Sequence, residues 1–180
     1  MAELDSDLLI DEFYIPLYRF AFSLSRRESH ACDLVQQTYY IWALKGHQLR
    51  DLSKVKTWFF TTLYREFLKK ARHDHRLVEM NDDSKFVDPP HVSPSAVDVL
   101  DAATVYDALN QLDDRYRGPV TLFYMQQCSY REIGEILGIP IGIVMSRIAR
   151  GKGELRKTLL TSVEQDSRKV IQLQSEGVHG

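Results

Sequence analysis

The chain of 180 residues reads as all-α: two small helical domains joined by a flexible acidic linker, the C-terminal one a helix-turn-helix. Three observations predict this. Apolar residues recur at helical spacing in segment after segment, and none alternates as a strand does. Residues 77–93, rich in Asp, Pro and Ser, break all periodicity and carry turn chemistry. Cys128–Lys157 holds two helical patterns separated by Gly138 and Pro140, the spacing of two helices around a tight turn.

The elements follow in order. Asp5 to Leu24 carries Leu9, Phe13, Leu17, Phe20 and Leu24 on one stripe, with Pro16 inside it expected to kink or split the helix. Ser29 to Leu44 is a second helix with Ser29 as its cap. Ala31, Leu34, Val35, Thr38, Ile41 and Trp42 face inward, while Asp33, Gln36, Gln37 and Tyr40 point elsewhere; Gly46 ends it. Thr57 to His73 is a third, with Trp58, Phe59, Leu63 and Phe67 on its apolar side. Its other side carries Arg65, Lys69, Lys70 and Arg72, with Lys54 and Lys56 just ahead. Aromatics interleaved with cations suit a single nucleic-acid strand, because rings stack on bases while cations neutralise phosphates. The plainer reading makes most of those rings core. After the linker, Ser93 opens a helix through Val97, Leu100, Thr104, Ala108 and Leu112. Asp113 caps another through Val120, Phe123 and Tyr124.

The helix-turn-helix carries the function. Ser129 and Glu132 have the spacing of a capping box, and Ile133, Ile136 and Leu137 form the buried face. In the second helix, Val144, Ile148 and Leu155 face the core. The opposite stripe holds Gly142, Ser146, Ala149 and Gly153, with Arg150 and Lys157 on one flank and Met145 and Arg156 on the other. A glycine costs a helix interior roughly 1 kcal/mol against alanine. Three glycines therefore predict a small-residue ridge that sits deep between phosphates, with Arg and Ser reaching base edges. An ordinary core helix with a solvated basic face is the alternative. Beyond Leu160 the tail is expected to fray.

Charge and composition agree. The formal net charge is −2, but residues 1–76 carry +2, residues 77–112 carry −6, residues 113–160 carry +3 and residues 161–180 carry −1. Two mildly basic blocks flank an acidic connector. No apolar run approaches the ~20 residues of a membrane span, and the acidic N-terminus is unlike a signal peptide. Cys32 and Cys128 are too few for a disulfide framework or a zinc site, and His73-Asp74-His75 lacks further ligands. No metal, cofactor or catalytic constellation is expected, and the compartment is reducing cytoplasm.

On these residues the chain resembles the extracytoplasmic-function sigma factors, the small two-domain class of the sigma-70 family of bacterial RNA polymerase subunits. The resemblance covers about residues 9–160. It is most specific over Leu112–Lys157, then at Asp33-Leu34-Val35-Gln36-Gln37-Thr38, then at Lys56-Thr57-Trp58-Phe59-Phe60. It implies a docking and −10-melting domain at residues 1–76, a linker at 77–93, a −35-reading domain at 94–160 and a tail at 161–180. Core polymerase would be bound through Asp33, Gln36, Gln37 and Tyr40. Lys54, Lys56, Trp58, Tyr64, Arg65, Lys69 and Arg72 would hold the separated −10 strand. Tyr130, Arg131, Gly142, Met145, Ser146, Arg147, Ala149 and Arg150 would meet the −35 duplex, with Tyr130, Arg131 and Arg147 on phosphates.

Three departures stand out against the family pattern: Gln37 where an acid is usual, Arg65 where an Asn is usual, and Ile143 with Met145 in place of a Thr and a basic residue. The missing acid motivates control by a kinase acting on Thr38, Thr61 or Thr62; an anti-sigma factor or the tail are the other routes. The free chain is expected to be a monomer without membrane insertion. The competing readings are a stand-alone helix-turn-helix regulator, which binds duplex as a dimer on two half-sites, and a helical adaptor that binds only protein.

Overall fold

The computed structural model describes the backbone of residues 6–78 and 107–176, and within them the side chains of residues 9–72 and 107–160. Its helices are α1 (Ser6–Ser25), α2 (Glu28–Lys45), α3 (Val55–Val78), α4 (Asp114–Tyr124), α5 (Tyr130–Leu137) and α6 (Ile141–Glu176). Residues 107–111 are also helical, and 3-10 turns at Gly46–Gln48 and Leu52–Lys54 join α2 to α3. No strand occurs among the described residues.

Four sequence expectations are corrected. First, α1 is not split at Pro16 but runs unbroken through it. Leu9, Phe13, Leu17 and Phe20 are buried on both sides of it. At about 1.5–3 kcal/mol per large side chain, that burial outweighs a proline penalty of about 3 kcal/mol. Second, α2 starts at Glu28 on an uncapped, extended Arg27, not on a Ser29 cap. Arg26, at φ 55°, turns the chain between α1 and α2. Third, α3 begins at Val55 and runs past His73 to Val78. Asp51 accepts a bond from the Ser53 amide at 3.1 Å, shaping the turn that delivers the chain into the helix. Fourth, α6 continues to Glu176, so the backbone of the tail is helical where fraying was expected.

The remainder of the expected linker, and the helix opened by Ser93 as far as Thr104, lie outside the described residues. Residues 77 and 78 complete α3, and Ala108 and Leu112 are buried as their spacing predicts.

An aromatic cluster holds α1–α3 together. Phe59 meets Trp42 at 4.9 Å, Phe13 at 5.3 Å and Tyr39 at 5.4 Å between ring centres. Phe20 meets Phe60 edge-on at 5.5 Å, the offset arrangement that ring quadrupoles favour. The Tyr39 hydroxyl donates to backbone carbonyls of α1 at 3.4 Å, and burial pushes its phenol up to about 12. Gly46 lies flat against Trp42: a Cβ there would stand 2.6 Å from the indole.

The two helical domains are packed on one another. α1 lies against α4 and α3 against α5. Leu122, Cys128, Ile133, Ile136, Leu137, Val144 and Ile148 share one buried cluster with Leu17, Phe20, Phe59 and Leu63. A smaller core of Leu109, Leu112 and Val120, with Met125 and Leu155 against it, seats α6 on α4.

Candidate nucleic-acid interface

The turn between α5 and α6 is built as its residues predict. The Ser129 side chain accepts from the Glu132 amide at 3.2 Å, and Glu132 accepts from the Ser129 amide at 2.7 Å, a complete capping box. Gly138 ends α5 in the left-handed region at φ 66°, where a Cβ would be strained. The bonds from Ser129 hold the Glu132 carboxyl below its ordinary value. Because the folded pKa is depressed, this contribution to stability is complete above the ordinary value of 4.5 and is lost as pH falls below it. Ser129→Ala is expected to cost about 0.5–2 kcal/mol and to flatten that part of the acid limb, as read by thermal melts across pH 3–6.

Helix α6 presents its ridge to solvent. Gly142, Ser146, Ala149, Arg150 and Gly153 are exposed, as is Met145 at 51 %, while Val144 and Ile148 are buried. The glycines divide by role. A Cβ on Gly142 or Gly153 would meet nothing within 4 Å, whereas on Gly151 it would stand 2.6 Å from Val120 and 3.1 Å from Tyr116. Gly151 is therefore a packing glycine that lets α6 approach α4, while Gly142 and Gly153, the two on the ridge stripe, lie open. Gly153→Ala is expected to stabilise the fold by about 0.5–1 kcal/mol. Gly151→Ala is expected to destabilise it by about 1–3 kcal/mol through overpacking. Opposite shifts in thermal midpoint check the pair.

The expected phosphate contacts do not act alike. Arg131 is exposed and lies 3.5 Å from Glu135. Tyr130 is exposed at its edge and stacks on Phe123, 5.1 Å between centroids. Arg147 is half-buried and lines a cleft of about 290 Å³ beside Tyr64, Phe67 and Arg117. Burial raises the Tyr64 phenol, and the nearby Arg147 charge opposes the rise. In this arrangement Arg147 borders α3 across that cleft. At about 100° per residue it lies far round the helix from the ridge.

Helix α3 splits the expected strand-binding set. Phe59 and Phe60 are wholly buried, so the interleaved rings are largely core. Trp58 is half-buried against Trp42 at 5.0 Å. Arg65, Lys69 and Arg72 are exposed, on the same side of α3 as Trp58 by helical spacing, with Lys69 paired to Glu66 at 2.9 Å. Lys54 is exposed in the turn ahead. Lys56 and Tyr64 turn the other way: Lys56 donates to the Gln126 carbonyl, and Tyr64 borders the Arg147 cleft.

On α2, Asp33, Gln36, Gln37 and Tyr40 are exposed together, Tyr40 at 61 %. They lie within about 100° of helical arc. Leu44, 53 % exposed, extends the patch, and Asp33 is tied to Lys70 at 3.0 Å. Thr38 is wholly buried and donates to the Leu34 carbonyl at 2.7 Å. As a phosphate acceptor it is corrected, since the folded chain shields its hydroxyl; Thr61 and Thr62 are half-buried.

Sequence reasoning missed the polar seam between the domains. Arg117, 2 % exposed, donates to the Ser23 carbonyl at 3.0 Å and the Leu112 carbonyl at 2.8 Å, and pairs with Asp114. Arg26 donates to the Leu112 carbonyl and to Asp114, each at 3.2 Å. One signal was available: a lone arginine in the otherwise core-facing run Tyr116–Leu122.

An exposed small-residue ridge flanked by cations, on the second helix of a capped helix-turn-helix, defines a DNA-reading protein. Known proteins narrow that class. Residues 102–155 match the family described as Sigma-70, region 4. The chain is 29% identical over 156 residues to the ECF RNA polymerase sigma factor SigM of Bacillus subtilis (strain 168), covering 83% of this chain and 94% of that protein. It is 29% identical over 163 residues to SigW of the same organism, covering 84% and 87%. Among solved structures, the sigma factor RpoE in complex with the anti-sigma factor NepR from Bartonella quintana superposes with a TM-score of 0.75 at 30% identity, covering 86% of this chain and 96% of that one. The chain belongs to the extracytoplasmic-function sigma factors of the sigma-70 family.

Proposed function

We infer that this sigma factor binds core RNA polymerase and selects promoters through two separate surfaces. Residues 1–76, with α3 extending to Val78, dock on the polymerase through Asp33, Gln36, Gln37 and Tyr40. They hold the separated −10 strand through Lys54, Trp58, Arg65, Lys69 and Arg72, the members of the expected set on the exposed side. Residues 94–160 read the −35 duplex with the ridge of α6. Residues 77–93 tether the two units, so each binding event raises the effective concentration for the other.

The observation that carries this reading is the open ridge: Gly142 and Gly153 face empty space between exposed Ser146, Ala149 and Arg150. A glycine on a solvated face only weakens a helix, whereas against DNA it admits the backbone between phosphates. The chain acts in the cytoplasm, where core polymerase works, and no described helix is long and apolar enough to cross a membrane. A masking protein, of the kind bound to the Bartonella relative, fits as its regulator better than a kinase acting on a buried Thr38.

Run-off transcription with core enzyme on a promoter library tests the assignment. RNA chains started from a defined pair of −35 and −10 sequences are expected, with weak binding of free duplex by the monomeric chain alone. Tight binding of duplex by a dimer, without polymerase-dependent initiation, would favour a stand-alone regulator.

A further inference from the structure

We propose that Ile143 and Met145 are specificity-determining residues of α6, and that they select thymine in the upstream duplex by its C5-methyl group; this rests on the two-surface reading above. The starting observation is a cluster of exposed apolar side chains where α6 begins. Ile141, Ile143 and Met145 fall within its first five residues, and Ile143 is 43 % and Met145 51 % exposed. Side chains of this kind are usually buried. Val144 between them is wholly buried, so the core fixes the direction in which both neighbours project.

That direction brings them to the groove. At about 100° per residue, Ile143 and Met145 stand about 80° to either side of the stripe that carries Gly142, Ser146 and Gly153. Ile143 adjoins Ser146 three positions on, and Met145 adjoins Ala149 four positions on. The major groove is ~12 Å wide and a helix with its side chains about 10–12 Å across. A helix seated on the stripe therefore brings both flanks against the groove, and its first residues meet the base edges.

The chemistry of the pair names the base. Neither side chain donates a hydrogen bond, and only the Met145 thioether accepts one, weakly. A base amino or carbonyl group set against them would lose water without gaining a partner. Among the groups on the major-groove edge, only the thymine methyl is favoured by an apolar neighbour.

Charge names the kind of molecule. From Ile141 to Gly153, α6 has exposed Arg150 and Lys152 and no carboxylate. Apolar side chains among cations match a polyanion that carries methyl groups, as duplex DNA does. An apolar protein surface would leave those cations unpaired.

The test uses holoenzyme on the promoter that the run-off library selects. Each thymine of its −35 element, on either strand, is replaced in turn by deoxyuridine, which removes the methyl and keeps every hydrogen-bonding group. Initiation at subsaturating holoenzyme is expected to fall about fourfold at one thymine for each residue, the effect of one buried methyl. Ile143→Ala and Met145→Ala alter exposed positions, and their thermal midpoints should stay near wild type. Each variant should be indifferent to deoxyuridine at the thymine its residue meets and remain sensitive at the other.

Wild-type initiation unchanged by deoxyuridine at every −35 position would overturn the proposal and leave the two-surface reading intact. Sensitivity that persists at every position in both variants would overturn it as well, since the methyl would then act through the shape of the duplex. Alanine variants that assemble less holoenzyme and lose initiation on every template alike would make the pair a protein contact, which also overturns it. Absence of any promoter-specific RNA from wild type would be a distinct result, removing the two-surface reading and the proposal together.

Discussion

Glutamate placed at both Ser146 and Ala149 is expected to lower promoter-directed transcription at least a hundredfold while leaving the fold intact. Both residues are exposed on the ridge of α6. Ser146 has its hydroxyl turned back to the Ile143 carbonyl at 3.1 Å, so nothing in the core depends on it. A side chain that reaches a base edge supplies about 1–3 kcal/mol of discrimination, and two are lost. The ridge would also bring two carboxylates against phosphates where it now brings none. A factor of ten corresponds to about 1.4 kcal/mol, so a hundredfold loss is the conservative figure. Helix content and thermal midpoint should match wild type, and core polymerase should still be bound through α2. Run-off transcription on the cognate promoter is the measurement; near-normal initiation would mean that α6 does not read DNA.

Reversal of the exposed cations of α3, Arg65→Glu with Lys69→Glu and Arg72→Glu, is expected to abolish opening of the −10 region without weakening recognition upstream. All three are exposed, and helical spacing places them beside Trp58, a half-buried ring at the edge of the core. Single strands release counterions with a salt slope of roughly 0.7 per neutralised phosphate. Loss of three contacts should therefore reduce that slope by about 2, as followed by anisotropy of a labelled single-stranded −10 oligonucleotide on holoenzyme. Initiation from duplex promoter should fall a hundredfold or more, and a template already unpaired at −10 should recover much of it. Unchanged slope and unchanged initiation would return these cations to the role of solvated charge.

Local chemistry explains what is legible in the amino-acid order. The turn between α5 and α6 follows from Ser129, Glu132 and Gly138, residues within a few positions of one another, because capping bonds and left-handed geometry are made between near neighbours. The exposed stripe from Asp33 to Tyr40 and the cationic side of α3 follow from helical period alone. Contacts distant in sequence leave no such mark. Helical spacing sets Gly151 on the core side of α6, opposite Gly142 and Gly153, but it does not say that Val120 and Tyr116 are what pack against it. Arg147 sits among the ridge residues in sequence, and the cleft beside Tyr64 claims it.

The order of residues alone determined an all-helical chain, a helix-turn-helix and two basic surfaces around an acidic connector, because period, caps and charge are properties of neighbouring residues. Only the tertiary structure decided which side chains pack against Gly151, and which cations face solvent. It alone showed that Arg117 ties one domain to the other across 94 positions of sequence. Those outcomes depend on which surfaces meet in space, and a pattern that repeats every few residues carries no record of that meeting.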